Sequence, residues 1–358
     1  MRWRRRLWRW RVSGGLGLGL GWRHALAAVP LRRSDLGFVE VVAETVPTGR
    51  PLPPALAAAR RRGVQVVPHG VRLSLGGADR PDPARVAHLA SLAERLDAPL
   101  VSEHVAFVRA GGREAGHLLP VPRTRAALSV LVANVAEAMA GLPVPLVLEP
   151  IASLFDWPDA ELDEADFVTE LLDRTGALLL LDVANVWANA RNAGTDPALL
   201  LDRLPLDRLA YVHVAGGMER SGLYHDTHTH PVPAGVLDLL GQLADRVDVP
   251  GVMLERDGDF PPTEELDGEL DAIAAAAHAG GDLPPARTSA SPHRASEPTG
   301  CDRYALAAGQ AALVSALLDR TAPPPRFDPV RLGAAGAALA VKRRESVRRV
   351  GAVRQRSD

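Results

Sequence analysis

The sequence predicts an α/β protein built on a (β/α)8 TIM barrel, with a small helical extension at its C-terminal end. Three observations carry that expectation. Eight short apolar segments recur between residues 15 and 257, and most are followed by a stretch with helical periodicity. Some of them, such as residues 177–181, are apolar without alternation, which suits parallel strands covered on both faces. A His, Asp or Glu stands at or near the end of strand after strand, one βα unit apart.

The elements follow in order. The Gly-rich run 15–22 is the first strand; it fits GxGxxG only loosely and has no phosphate-binding context. Residues 38–44 form the second strand, 53–62 a helix and 64–69 the third strand. Asp82 and Thr124 are expected to cap helices 82–96 and 124–140, because their side-chain oxygens can accept from free N–H groups of a first turn. The fourth strand is 100–107 and the fifth 145–149, followed by helix 163–174. The sixth strand is 177–185, with a short helix at 196–204. The seventh is 209–215, followed by helix 233–244, and the eighth is 251–257, closed by helix 263–278. The first unit has the weakest helix signal.

Outside the barrel, assigned to residues 15–280, three segments differ in composition. Six arginines and three tryptophans fall in the first eleven residues, with no apolar core or cleavage site behind them. Residues 1–14 therefore read as a disordered basic leader, or as residues ahead of the true start codon, and not as a secretory signal. Residues 281–300 are rich in Pro, Ser and Arg and read as a linker. Residues 301–358 form a helical extension, with helices at 304–319 and 330–349 separated by a proline-rich break. Two helices bury little core alone, so they are expected to dock on the barrel, another chain or a partner.

Composition narrows the function. The 358 residues are 47% hydrophobic with net charge −2, which argues against general nucleic-acid binding. No apolar run is long enough for a transmembrane helix. A cytoplasmic protein with neither nucleic acid nor membrane as partner is expected. The single cysteine, Cys301, excludes an internal disulfide framework and any Cys-based zinc or iron–sulfur site. A metal would have to be held by His, Asp, Glu or Asn, which suits iron, manganese or zinc.

Such residues mark the strand ends. His69 ends the third strand, His104 lies near the end of the fourth, and Glu149 ends the fifth. Asp182 and Asn185 end the sixth, His213 the seventh and Glu255 the eighth, while Asp226 and His228 lie in the loop after the seventh. Glu44 ends the second. In a barrel all of these point to the C-terminal mouth, where barrel active sites form. Singly, each has an ordinary structural explanation: a hydrogen-bonded core histidine, a paired carboxylate, a cap. Together they would bury several carboxylates with little neutralising charge, at several kcal/mol apiece. Bound cations remove that cost. The set exceeds what one ion can use, so two or three ions are expected, with Glu149 or Glu255 bridging. His225 and His230 are expected to be bystanders, or groups that support the ligands from behind.

The segments 19–23 (Gly-Leu-Gly-Trp-Arg), 38–44, 68–76 (Pro-His-Gly-Val-Arg-Leu-Ser-Leu-Gly), 101–107, 117–122, 179–186 (Leu-Leu-Leu-Asp-Val-Ala-Asn-Val), 212–216, 226–228 (Asp-Thr-His) and 254–257 (Leu-Glu-Arg-Asp) carry a resemblance. In combination they resemble the multinuclear non-haem iron-dependent oxidases, a formerly uncharacterised family that includes the methanobactin-biosynthesis oxidase. The resemblance covers about residues 15–275 and implies a barrel of the xylose-isomerase type. It implies that His69, His104, Glu149, Asp182, Asn185, His213, Asp226, His228 and Glu255 are the catalytic iron ligands. It further implies two or three iron ions in mixed valence, dioxygen as co-substrate, and oxidation of cysteine residues in a ribosomally made precursor peptide. A partner protein that recruits the peptide leader is also implied. The C-terminal helices resemble, more weakly, an extension of actinobacterial members, which would let them stand in for that partner. Two positions depart from the family pattern: Leu-Glu-Pro at 148–150 lacks an Asn after the glutamate, and Gly217 stands where many members carry His. The residues alone leave two other readings open: a divalent-metal isomerase or hydrolase on the same barrel, and a metal-binding module without turnover.

Overall fold

The computed structural model describes residues 15–278 and 298–354, with side chains described as far as residue 343. Its strands are β1 (Gly17–Gly21), β2 (Leu36–Val42), β3 (Gln65–Gly70), β4 (Val101–His104), β5 (Ala106–Ala110), β6 (Arg113–Pro120), β7 (Leu146–Glu149), β8 (Leu178–Asp182), β9 (Leu209–Val214), β10 (Gly217–Arg220), β11 (Leu223–Asp226) and β12 (Gly251–Leu254). Eight of them close a parallel barrel in the order β1-β2-β3-β4-β7-β8-β9-β12. The other four form two antiparallel hairpins, β5–β6 and β10–β11. The helices are α1 (Val29–Arg32), α2 (Pro54–Arg61), α3 (Pro83–Leu96), α4 (Arg125–Ala140), α5 (Glu164–Thr175), α6 (Val183–Ala193), α7 (Pro197–Leu201), α8 (Ala234–Ala244), α9 (Thr263–Ala277), α10 (Gly300–Asp319) and α11 (Pro329–Arg354). Asp82 and Thr124 cap α3 and α4 as expected, accepting from Ala84 N and Ala127 N. The four residues of α1 match the weak helix signal of the first unit.

The barrel interior is an apolar plug. Phe38, Val67, Val147, Leu180, Tyr211 and Met253, one from each of six strands, and Leu100, just ahead of β4, belong to a cluster of their own, separate from the larger core between strands and helices. β1 contributes room instead of bulk. A Cβ on Gly19 would fall 2.3 Å from the Phe38 ring, so only glycine lets that ring fill the barrel.

The sequence reading and the structure differ at identifiable places. The sixth strand stops at Asp182, whose Oδ1 accepts from Ala184 N and Asn185 N and starts α6 directly on the strand end. Asn185 therefore lies in the first turn of a helix, not on a strand; Val-Ala-Asn-Val looks strand-like because its β-branched residues continue the apolar run. The expected fourth strand is divided, its second half turning back as β5–β6. Both hairpins carry a turn signal that passed unrecognised: Gly111-Gly112 and Ser221-Gly222, each pair at positive φ. In the extension, Thr299 and Asp302 form a capping box that starts α10 at Gly300, four residues earlier than expected. Residues 1–14 and most of the expected linker lie outside the described residues. Among the described residues, no helix is long and apolar enough to cross a membrane.

The extension docks on the barrel. α10 packs on α4 and the β5–β6 hairpin, and α11 on β6. They close an apolar cluster containing Phe107, Leu119, Phe155, Leu313, Leu317 and Phe327. Gln310 fastens this contact. It is fully buried, donates through Nε2 to Gly76 O (2.7 Å) and accepts at Oε1 from Ala78 N (3.0 Å). Replacing it leaves a buried N–H and a buried C=O without partners. Gln310→Leu is expected to cost about 2–3 kcal/mol, seen as a lower denaturant midpoint at unchanged slope.

Candidate metal centre

Strand alternation builds the centre. Side chains two residues apart face the same way, so each residue two places beyond the plug stands above it at the C-terminal mouth. Val67 leads to His69, Val147 to Glu149, Leu180 to Asp182, Tyr211 to His213 and Met253 to Glu255; Leu100 leads through Ser102 to His104. Pairing register brings neighbours together: His104 stands opposite Glu149, and Asp182 opposite His213.

Three groups of ligand atoms result, each within 4.8 Å: His69, His104 and Glu149; Glu149, Asp182 and His213; Asp182, Asp226 and His228. In the first, His104 Nε2 lies 3.3 Å from both His69 Nε2 and Glu149 Oε2. In the second, His213 Nδ1 is 3.5 Å from Glu149 Oε1. In the third, His228 Nε2 contacts Asp226 and lies 3.9 Å from Asp182 Oδ2. Adjacent groups share Glu149 and then Asp182, so the three form a row. Glu255, one of the two expected bridging residues, instead spans two histidines, 3.2 Å from His213 Nδ1 and 3.4 Å from His228 Nδ1. It also forms a fourth group with His228 and Asp257, where Arg23 donates to Asp257 (Nε, 2.9 Å) and sits 3.4 Å from Glu255.

Two further pieces of backbone hold the third group. His228 adopts φ +57, a left-handed conformation unusual for a residue with a side chain. It is kept there by His228 N donating to Gly216 O (2.9 Å) and Asp257 N donating to His228 O (2.6 Å). Helix α6 presents Asn185, Asn189 and Asn192, at helical spacing, to the loops around it. Asn185 donates to Pro150 O and lies 3.4 Å from Glu149; Asn189 pins Ile151 and Ser153; Asn192 exchanges two bonds with Tyr224 of β11.

The donor set fits a cation. Glu149 Oε2, Asp182 Oδ2, Asp226 Oδ1 and His213 Nδ1 are buried and have no hydrogen-bond partner. An unpartnered buried carboxylate oxygen is costly, and a positive ion is the partner it lacks. Electrostatics point the same way. Burial opposes charge on His104, but Glu149 and Glu103 outweigh it and raise its pKa to about 9. Burial also opposes charge on Glu149, yet His213 and His104 hold it down to about 2. Burial and the adjacent Asp226 push Asp182 well above the ordinary carboxyl range. Burial also opposes charge on His213 and His228, but the carboxylates beside them outweigh it and raise both well above the ordinary imidazole range, so this spot favours positive charge.

A groove of about 630 Å³ lies among α5, α6, α7 and the loop after β7. Val105, Pro150, Ile151 and Val186 line it, next in sequence to His104, Glu149 and Asn185, and Arg331 of the extension borders it. His117 lies on β6, where burial, Lys342 of α11 and the nearby His104 lower its pKa to about 3.

The structure thus brings together His69, His104, Glu149, Asp182, His213, Asp226, His228 and Glu255, with Asn185 at their edge. His225 and His230 fall outside the groups, and His230 is bonded to Thr227 instead. Glu44 also stays outside, accepting from Val71 N in a 3₁₀ turn. Sequence reasoning missed Glu40, Ser102, Glu103 and Tyr211, which are buried around the ligands. Parity offered a signal for three of them: Glu40 is two residues beyond Phe38, Ser102 two beyond Leu100, and Tyr211 two before His213.

Residues 17–278 match the family described as RiPP precursor modification enzyme MbnB/TglH/ChrH, and residues 307–353 match the SCO6045-like C-terminal domain. A UPF0276 protein of Streptomyces avermitilis is 49% identical over 393 residues, covering 96% of this chain and 80% of the relative. A UPF0276 protein of Caulobacter vibrioides is 38% identical over 261 residues, covering 73% of this chain and 93% of the relative. Among solved structures, a xylose isomerase domain protein of Planctomyces limnophilus aligns with TM-score 0.48 and 14% identity over 73% of this chain and 97% of that one. The family match spans the whole barrel and both relatives are close, so this chain belongs to the MbnB/TglH/ChrH family of RiPP precursor modification enzymes.

Proposed function

We propose that this protein is a multinuclear iron-dependent oxidase that uses dioxygen to modify cysteine residues of a ribosomally made precursor peptide. The observation that carries the reading is the row of three ligand groups joined by Glu149 and Asp182, in a chain of a peptide-modifying family. His69, His104 and Glu149 would hold one ion; Glu149, Asp182 and His213 a second; Asp182, Asp226 and His228 a third, with Glu255 and Asn185 flanking. The donors are nitrogen and oxygen only, as suits non-haem iron. Bound iron would supply the one-electron chemistry through which dioxygen oxidises a thiol-bearing side chain.

The chain's own residues do the rest. The two shared carboxylates would hold neighbouring ions and neutralise part of their charge. The plug beneath closes the barrel to water from below. The groove bordered by the loop after Glu149 would give a peptide a partly apolar bed. Helices α10 and α11 cover the apolar face of the β5–β6 hairpin at the mouth, and in this reading they replace a separate recruiting partner. Cys301 is exposed at the start of α10, so no protein thiol competes with a substrate cysteine among the ligands.

Elemental analysis of protein purified without oxygen, followed by oxygen uptake with a Cys-bearing precursor peptide encoded nearby, tests the reading. Iron and peptide-dependent uptake are expected; zinc or manganese in its place, without uptake, contradicts the oxidase. Because Glu149 serves two groups, Glu149→Ala is expected to lose about two metal equivalents and His69→Ala about one. Equal losses would contradict the sharing. Leu199→Trp, at an exposed position of the lining, narrows the groove. It is expected to raise KM for the peptide about tenfold, or 1.4 kcal/mol, at unchanged metal content.

A further inference from the structure

We infer that Glu40 is a positioning residue that selects, through one buried hydrogen-bond chain, which nitrogen of His213 and which nitrogen of His69 faces the metal row. The inference rests on the reading of these two histidines as metal ligands, though not on the metal being iron or the substrate a peptide.

Donor and acceptor roles follow one another without freedom. Glu40 comes from β2, two residues beyond Phe38, and is buried beneath the row. Its Oε2 lies 2.6 Å from Tyr211 Oη and 3.0 Å from His213 Nε2. A carboxylate only accepts, so both neighbours must donate to it. As a metal ligand His213 therefore keeps its hydrogen on Nε2, which leaves the lone pair of Nδ1 for the ion. Nδ1 is the atom that faces Glu149 and Glu255 and has no hydrogen-bond partner.

The second arm runs through Tyr211. Its single hydrogen goes to Glu40, so its oxygen must accept from Ser102 Oγ, 2.7 Å away. Ser102 has then spent its own hydrogen and can only accept from His69 Nδ1 at 2.8 Å. His69 is left with a bare Nε2, the atom that meets His104 Nε2 and Glu149 Oε2. One carboxylate thus sets the tautomer of a ligand in the first group and of a ligand in the second. His104 is held independently: its Nδ1 lies 3.2 Å from Gly70 O and 3.3 Å from Glu103 Oε1. Partners of this kind behind a metal-bound histidine fix its orientation and typically change metal affinity about 10–100-fold.

The test is nitrogen-15 histidine NMR on the full chain loaded with zinc alone, a diamagnetic ion that takes the same donors. In the wild type, His213 is expected to bind through Nδ1 with a hydrogen on Nε2, and His69 through Nε2 with a hydrogen on Nδ1. Tyr211→Phe cuts only the second arm, so the His69 signals should change while those of His213 and His104 stay. Glu40→Leu removes the acceptor for both arms. It should weaken zinc binding about 10–100-fold, shift His69 and His213 together and leave His104 unchanged, and Glu40→Gln should recover part of the affinity. Circular dichroism checks the fold; should Glu40→Leu not fold, Tyr211→Phe and Glu40→Gln decide the question. His213 bound through Nε2, a Tyr211→Phe variant with unchanged His69 signals, or a folded Glu40 variant with undiminished zinc affinity overturns the inference. Wild-type protein that takes up no zinc overturns the ligand assignment itself, a failure visible without any variant.

Discussion

The structure depends on the burial of ionisable groups directly on top of an apolar plug. Six barrel strands, and Leu100 just ahead of a seventh, supply an interior apolar residue, and continued alternation then forces the next inward positions to stand over it. In this chain those positions are Glu40, His69, Ser102, Glu149, Asp182, His213 and Glu255, with His104 one step above Ser102. Most are almost fully buried. Carboxylates gathered so closely in a dry interior repel one another and lack hydration, and each would cost several kcal/mol unless compensated. His104, His213 and His228 compensate in part, their pKa values raised by the carboxylates beside them; metal ions would do so better and would satisfy the four unpartnered atoms as well.

The surrounding elements serve that same cluster. Asp182 gives one oxygen to the first turn of α6 and keeps the other for the centre. The asparagines of α6 then tie down the loop after Glu149 and the strand that leads to Asp226. Main-chain bonds from Gly216 and Asp257 hold His228 in its unusual backbone state. The extension contributes from outside, through Gln310 and Arg303 on the loop after β3, so that the side of the mouth bearing His69 and His104 is braced by residues more than 200 positions away.

The barrel was legible because its strands are apolar, short and regularly spaced, and because its ligands fall where strands end. The line-up of His69, Glu149, Asp182, His213 and Glu255 needs only parity and the rule that barrel sites lie at the C-terminal ends. What was not legible depends on tertiary detail. Asn185 reads as strand because nothing local distinguishes Val-Ala-Asn-Val from a continued apolar run; the cap on Asp182 decides it. The sharing of Asp182 between two groups requires the β10–β11 hairpin, whose Ser221-Gly222 turn went unrecognised. Glu40 was hidden because it lies in mid-strand, below the ends where chemistry is sought, and its importance appears only when Tyr211 and Ser102 are seen beside it.

The central claim is that neighbouring cation sites lie in a row and share carboxylates. Anomalous diffraction at the iron absorption edge, from crystals loaded with iron without oxygen, tests it most directly. The account predicts adjacent peaks, one among His69, His104 and Glu149 and the next among Glu149, Asp182 and His213, with any third among Asp182, Asp226 and His228. A single isolated peak, or peaks away from Glu149 and Asp182, would contradict it.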